Sequence, residues 1–439
     1  MRKQNHYYKL ITFILLISIT FIFSFCRQQP VDLKSQLGNI AGAKLSIIEA
    51  DAIYKEAYEL WYKQNIDHDN PKGGTFSQRV IINHVGFDRP TVVILEGYNI
   101  FTTRAGELST LLNANQITIE HRFFDKSRPD YIPWEFLNVK QAAIDHHKII
   151  ESLKDIYRGK WISTGISKGG QTTMFHRRFF PDDVHASVLY VAPLNFERED
   201  PRIEKHLNSV GTKECRDKIY KFQIELFKKK DIILPLLKEY VEEKEYPVSL
   251  AEIERAYDLN ILEYSFGFWQ WSGNCYRIPD KNASEKEMFD HWKSTAPFSF
   301  FCQKDTTDIL FTYQALCEIG FYDYNIAPFQ KYLEDTVNIT FDYKIPKGVT
   351  TSYDPEIMQD INDWLQKDGD YMLYIYGEND PWAATAVNPS NNTIAVKMVN
   401  PNGNHRTRIS SFPDYMKDSI YHTLETWLKM KLPENSELW

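Results

Sequence analysis

At 439 residues, with 43% hydrophobic and 25% charged side chains, the chain has ordinary globular proportions and room for one large domain with an insertion, or for two domains. Its formal net charge of −8 comes without a clustered basic excess, which excludes a nucleic-acid binder. Aromatic residues reach 14% of the chain, a high share.

The N-terminus reads as a targeting segment. Arg2, Lys3 and Lys9 make it basic, Leu10 to Phe25 is apolar and free of charge, and Cys26 follows. That run is short for a membrane-spanning helix and suits the apolar region of a signal peptide. The cysteine at its end points to a bacterial lipoprotein, anchored in the cell envelope through a lipid on Cys26. Phe25 is a departure, because such signals normally carry a small residue there. An uncleaved anchor or ordinary secretion are the alternatives, and each also takes the protein out of the cytosol.

Residues 26–75 read as a polar tether, then helical material from Ile47 to Tyr62, then a break around Asn70-Pro71-Lys72-Gly73-Gly74. Strands are predicted at Gln78–Val85, Thr91–Leu95, Gln116–Glu120, Lys160–Thr164 and His185–Val191, with a helix over Trp134–Tyr157 between the third and fourth. Strands alternating with helices imply an α/β fold with a mostly parallel sheet covered on both faces. The alternation halts at Pro193 and resumes at Tyr371. The residues between, 196–365, read as largely helical, for example Glu214–Glu242 and Leu250–Tyr264. This predicts a signal segment (1–25), a catalytic domain in two pieces (76–195 and 366–439) and a large helical cap inserted after the sixth strand. A last helix over Pro413–Met430 closes the sheet.

The chemistry sits at the strand ends. Gly165-Ile166-Ser167-Lys168-Gly169 follows a predicted strand and opens a predicted helix, which is the nucleophile elbow of an α/β-hydrolase. The apolar strand Tyr371–Tyr376 runs into Gly377-Glu378-Asn379-Asp380-Pro381, and the strand Thr393–Val399 empties into a loop holding His405. Ser167, Asp380 and His405 thus follow in the order of an α/β-hydrolase triad. A serine hydroxyl needs a base, and the base needs an acid to orient it, so these residue types at successive strand ends predict nucleophile, acid and base. The tetrahedral oxyanion needs backbone N–H donors. The Lys168 amide is one, and the Gly97 or Tyr98 amide, after the strand Thr91–Leu95, is the other candidate. As alternatives, Asp380 reads as a turn-former beside Pro381, and His405 as a surface-loop residue.

Cys215, Cys275, Cys302 and Cys317 form an even set. Outside the cytosol they predict two disulfides in any of three pairings, with buried free thiols as the alternative. No C-x-x-C or histidine cluster accompanies them, so neither a metal nor a cofactor is expected.

Several stretches then resemble one family, the secreted bacterial serine tripeptidyl aminopeptidases of the streptomycete type. They are Thr164 to Gly170, His176-Arg177-Arg178-Phe179-Phe180-Pro181-Asp182-Asp183-Val184, Tyr190-Val191-Ala192-Pro193, Leu95-Glu96-Gly97-Tyr98, Val210 to Arg216, Glu263-Tyr264-Ser265-Phe266 and Gly377 to Trp382. The resemblance spans residues 75–430. Glu120-His121-Arg122-Phe123-Phe124 is more distantly similar to the prolyl carboxypeptidase and dipeptidyl peptidase group. The resemblance implies a serine exopeptidase with a helical cap, its nucleophile, acid and base at Ser167, Asp380 and His405, and release of tripeptides from peptide N-termini.

An aminopeptidase must hold the substrate's free α-ammonium, and in a partly buried site that needs a carboxylate. Glu96, Glu120, Glu263, Glu318 and Asp323 are the candidates, each also readable as a structural acid. Glu120 has Arg122 as a sequence-local partner. Phe266, Phe268, Trp269 and Trp271 are candidates for an apolar specificity pocket, or for cap core. An esterase or lipase would use the same triad with an acyl groove, and a non-catalytic binding lipoprotein is the remaining alternative.

Overall fold

The computed structural model describes residues 32–302, 306–333 and 340–433, so the Leu10–Phe25 run and Cys26 lie outside the described residues. The chain up to Ala43 is a unit of its own, where the short helix Leu33–Gly38 starts with the Asp32 side chain accepting the Ser35 N–H. The second unit begins at Lys44.

One nine-stranded sheet organises that unit: β1 (Lys44–Ile48), β2 (Glu56–Asn65), β3 (Thr75–His84), β4 (Thr91–Leu95), β5 (Asn115–Ile119), β6 (Trp161–Ile166), β7 (Ala186–Tyr190), β8 (Met372–Gly377) and β9 (Val396–Asn400). Their order is β1-β2-β3-β5-β4-β6-β7-β8-β9. The first three form an antiparallel edge, and the run from β5 to β9 is parallel.

The helix expected over Ile47–Tyr62 is therefore wrong. That stretch makes β1 and β2, paired from Lys44↔Trp61 to Ile48↔Ala57. Its Glu and Lys residues favour a helix, but Tyr58, Leu60, Trp61 and Tyr62 gain more by pairing with β3, from Glu56↔His84 to Asn65↔Thr75. The break at residues 70–74 is the turn of that hairpin. The insertion follows β7, the seventh strand in chain order rather than the sixth.

Alternation along the parallel strands splits the core. Val188 and Leu373 face Ile420, Leu424 and Leu428 of the last helix, Asp414–Leu428. Their neighbours Leu189 and Tyr374 face Met174 and the cap. Each of those four-spaced aliphatic side chains is fully buried, worth about 1.5–3 kcal/mol apiece. Helices α1 (Val139–Lys154) and α2 (Lys168–Phe179) pack together on the sheet.

Between β7 and β8 the cap contains α3 (Pro201–Leu207), α4 (Lys213–Lys228), α5 (Lys230–Glu243), α6 (Leu250–Gly267), α7 (Glu285–Thr295) and α8 (Thr306–Gln314). The single helix expected over 214–242 is broken at Lys229, whose φ of −98° and ψ of 18° leave the helical region. Helix α9 (Pro355–Lys367) packs on α2, where Arg178 donates to Asp360 at 2.9 Å. It is the crossover into β8, so the hydrolase domain resumes before residue 366.

One disulfide joins Cys215 at the start of α4 to Cys275. The second expected bridge is absent among the described residues: Cys302 is a buried free thiol and Cys317 a half-buried one. Burial pushes the Cys302 thiol up to about 12, the behaviour of a core residue rather than a reactive one.

Candidate active site

β6 ends at Ile166 and α2 begins at Lys168, so Ser167 alone makes the corner. Its φ of 55° and ψ of −122° are strained for a residue with a side chain. The strain is held by the Ser167 N–H donating to the Tyr190 carbonyl at 2.8 Å and the Ser167 carbonyl accepting the Gln171 N–H at 3.0 Å. The flanking glycine is obligatory, since a Cβ on Gly165 would lie 2.1 Å from the Gly169 carbonyl oxygen. The β4 loop presses on the same corner, where a Cβ on Gly97 would lie 2.6 Å from the Gly169 nitrogen.

Asp380 follows β8 and is fully buried. Its Oδ1 accepts the Trp382 N–H at 3.2 Å and its Oδ2 lies 2.7 Å from His405 Nδ1. His405 sits in the loop after β9. That loop is tied to the β8 loop by the Asn379 N–H donating to the Gly403 carbonyl at 2.8 Å. The cap ties it too: the His405 N–H donates to the Gln270 carbonyl at 3.1 Å, and the Trp271 ring meets the imidazole edge-on at 5.4 Å.

Ser167 opens on a cavity of 440 Å³ under the cap, lined also by Tyr98, Lys168, Glu263, Phe266, Trp271 and Trp382. This is the size of a small-ligand site. Trp271 belongs both to this cavity and to the His405 contact. Asn195, Gln171, Tyr322 and Gln270 also line it without having been marked in the sequence. They come from the turn after β7, the α2 face and the cap, which no local motif connects. Gln270 and Trp271 stand on a wide π-helical turn, Phe268–Ser272, at the end of α6.

The five carboxylate candidates separate. Glu263, on α6, lines the cavity and is 8% exposed. Its Oε2 accepts the hydroxyls of Tyr322 and Tyr324, both at 2.8 Å, while Oε1 has no protein donor among the described residues. Burial lifts its carboxyl to about 7, against the pull of those hydroxyls. Glu120 is structural: its oxygens accept the Ile100 and Ser127 N–H groups and the Ser127 hydroxyl. Its cation is Arg79 at 3.7 Å, not Arg122, which is committed to Asp145 at 2.7 Å.

Glu318 accepts the first N–H of α1, from Val139, at 2.8 Å, and burial lifts it to about 7. Glu96 is raised to about 7 by burial and by Glu120, and like Glu318 it does not line the cavity. Asp323 and Trp269 line a separate cavity of 270 Å³ in the cap. Of the four aromatic candidates, Phe266 and Trp271 face the serine cavity. Phe268 packs in the core, and Trp269 packs against Gly211.

Among the described residues, His147, Glu151 and Asp183 gather closely enough to hold a cation. The Lys154 ammonium already supplies one, at 2.6 Å from Glu151 and 3.2 Å from Asp183.

The PS-10 peptidase S37 family pattern matches residues 26–426. The prolyl tri/tetrapeptidyl aminopeptidase of Streptomyces mobaraensis is 31% identical over 397 residues, covering 86% of this chain and 81% of that protein. Among solved structures, the proline iminopeptidase of Mycobacterium smegmatis is 11% identical with a TM-score of 0.42, covering 84% of this chain and 99% of that one. Acetyl xylan esterase 1 from Thermoanaerobacterium is 11% identical with a TM-score of 0.37, covering 89% and 91%. By the extent of the family match and the identity to the Streptomyces enzyme, the chain belongs to the S37 peptidase family and is a serine peptidase.

Proposed function

We propose that this peptidase removes short peptides, prolyl tri- or tetrapeptides after its Streptomyces relative, from the free N-termini of peptide substrates. Ser167 is the nucleophile, His405 the base and Asp380 the acid. With Nδ1–H donating to Asp380, the His405 Nε2 lone pair takes the serine proton as Oγ bonds to the scissile carbon. The carbonyl electron pair moves onto oxygen, where the Lys168 N–H and an N–H of the Gly97–Tyr98 segment meet it. Collapse expels the amine, which takes the proton from Nε2. Water then repeats the sequence to release the acyl group.

The observation that supports an aminopeptidase is Glu263, a nine-tenths buried carboxylate in the same cavity as Ser167 with one oxygen free for a donor. A substrate α-ammonium supplies that donor and the compensating charge. The cap supports exopeptidase action, since it roofs the cavity and admits chain ends.

The test is mass spectrometry of products from a peptide pool, half of it N-acetylated. Free peptides should yield N-terminal fragments of three or four residues. Acetylated ones should be cut about one to two decades more slowly, the worth of a charge-assisted hydrogen bond. Equal cleavage of both halves rejects the reading.

We also propose a cell-envelope location with a lipid on Cys26, supported by the basic start, the charge-free run and the cysteine that ends it. The Cys215–Cys275 disulfide fits an oxidising compartment.

A further inference from the structure

The serine mechanism leaves the side chain of the residue after Ser167 unused. Lys168 is 4% exposed. Its Nζ donates to the Gly97 carbonyl at 2.5 Å and lies 5.2 Å over the Tyr98 ring and 4.9 Å over the Phe124 ring. A lysine ordinarily extends its amine to water, and enclosing one is costly. Burial accordingly drives this amine well below the usual lysine range, with Glu318 pulling the other way. An apolar residue of the same length would fill the space without that cost, so the amine has work to do there.

The Gly97 carbonyl shares a peptide unit with the Tyr98 N–H. That unit is planar and trans, so its C=O and N–H point in opposite directions. Fixing the carbonyl on Lys168 therefore fixes the direction of the Tyr98 N–H. Tyr98 lines the serine cavity, and its N–H has no protein acceptor among the described residues. The next peptide is fixed as well, since the Tyr98 carbonyl accepts the His121 N–H at 3.0 Å. The whole segment lies against the elbow, where a Cβ on Gly97 would come within 2.6 Å of the Lys168 carbonyl carbon.

We propose that the Lys168 side chain is a positioning residue for the oxyanion hole, holding the Gly97–Tyr98 peptide so that the Tyr98 N–H meets the oxyanion beside the N–H of Lys168 itself. One residue then sets both donors, one through its own backbone and one through its amine. Tyr98, not Gly97, is the second donor. The amine also polarises the peptide it grips, since a carbonyl that accepts a hydrogen bond makes its N–H a stronger donor. The inference rests on the serine mechanism proposed above.

The test compares the full-length wild type with Lys168→Met, which keeps the length of the stem and removes the donor. Loss of a whole oxyanion donor costs about 10²–10³ in kcat, so a misdirected one should cost about 10–100-fold, with KM within about twofold. A peptide aldehyde forms a tetrahedral adduct on Ser167 and should weaken by the same factor. A product peptide has no such oxygen and should bind as before. Because the aldehyde-to-product ratio does not depend on how much variant is folded, it also serves for a poorly folding protein.

Phe124→Leu removes one ring from beneath the amine at a position outside the cavity, and should show a smaller loss with the same split. A Lys168→Met enzyme with kcat within twofold of wild type, or equal weakening of aldehyde and product, overturns the proposal. Fluorophosphonate labelling of the wild type separates the role of Lys168 from that of Ser167. Labelling at Ser167 with an unaffected Lys168→Met variant removes this inference alone, whereas labelling elsewhere removes the serine assignment as well.

Discussion

The Gln270 carbonyl accepts the backbone N–H of His405 at 3.1 Å, so the cap holds the loop that carries His405. Trp271 reinforces this hold. Its carbonyl accepts the Asn404 side-chain amide at 3.1 Å, and its ring meets both the His405 imidazole at 5.4 Å and the Arg406 guanidinium at 5.7 Å. A roof that only filtered substrates would not need to grip the His405 loop. Trp271→Ala should therefore lower kcat/KM about tenfold or more by loosening the proposed base, His405. With His405 as the proposed base, fluorophosphonate labelling needs it but no peptide, so labelling should slow as well. Labelling at the wild-type rate would make Trp271 a substrate contact only.

The Cys215–Cys275 bridge ties the segment just after this clasp to α4 and closes 60 residues of chain. On a chain-entropy argument such a loop is worth about 4 kcal/mol. Paired Cys215→Ser and Cys275→Ser substitutions should lower the denaturation midpoint accordingly. They should also lower kcat in conditions where the protein is still folded. A drop in stability with unchanged kcat would separate the bridge from the clasp.

Arg122 and Asp145 make a fully buried ion pair, with a second hydrogen bond at 3.0 Å and His68 Nε2 on the same carboxylate at 2.6 Å. Burial alone would raise the Asp145 carboxyl, but Arg122 and His68 more than reverse this and hold it below the ordinary range. Its stabilisation is thus present above the usual aspartate range and lost as pH falls through the lowered value. Asp145→Asn leaves an uncompensated buried guanidinium and should cost about 3–5 kcal/mol in chemical denaturation. A loss under about 1 kcal/mol would mean that the carbonyls of Asn65, Ile66 and Phe136 suffice for Arg122.

Cys26→Ser should release the protein from membranes to the soluble fraction and abolish incorporation of labelled lipid. A wild type that carries no lipid and fractionates as soluble would show that Phe25 prevents recognition of the signal.

The elbow, the acid strand and the histidine loop could be read from the sequence because each is a local pattern, an apolar strand emptying into a turn of Gly, Asn or Pro. Glu263 could be named but not chosen, because what distinguishes it from Glu120 is its neighbours. Two tyrosines some sixty residues away hold Glu263 in the cavity, whereas Ser127 and the Ile100 N–H occupy Glu120. Gln270 and the Lys168 amine were illegible, since a backbone carbonyl in a π turn and the direction of a lysine leave no trace in residue spacing. The strands β1 and β2 were misread because their charged residues favour a helix, and only the pairing with β3 decides otherwise.

At Glu263 activity and stability pull in opposite directions. Its carboxyl sits near 7, lifted by burial from an ordinary 4.5, with Tyr322, Tyr324 and Lys344 as the charged or titratable neighbours acting on it. As an ammonium anchor it must be ionised, so KM for free peptides should rise as pH falls below about 7, by up to about tenfold per unit. Lys344, drawn down to about 8 by burial, is the cation already acting on Glu263, and it loses its charge over the same range as a substrate α-ammonium. The stability change runs the other way. A carboxyl whose folded value is raised keeps its stabilising contribution below about 4.5 and loses it as pH climbs to about 7.

Glu263→Gln removes the buried charge, while its amide oxygen can still accept the two tyrosine hydroxyls. At pH 8 the variant should therefore be more stable, by about 1–3 kcal/mol, and poorer in kcat/KM on free peptides by about one to two decades. Dividing the wild-type pH profile by the variant's should isolate a single ionisation near 7. A variant that loses stability at pH 8, or whose KM keeps the wild-type pH dependence, would assign Glu263 to the fold and leave the ammonium without an anchor.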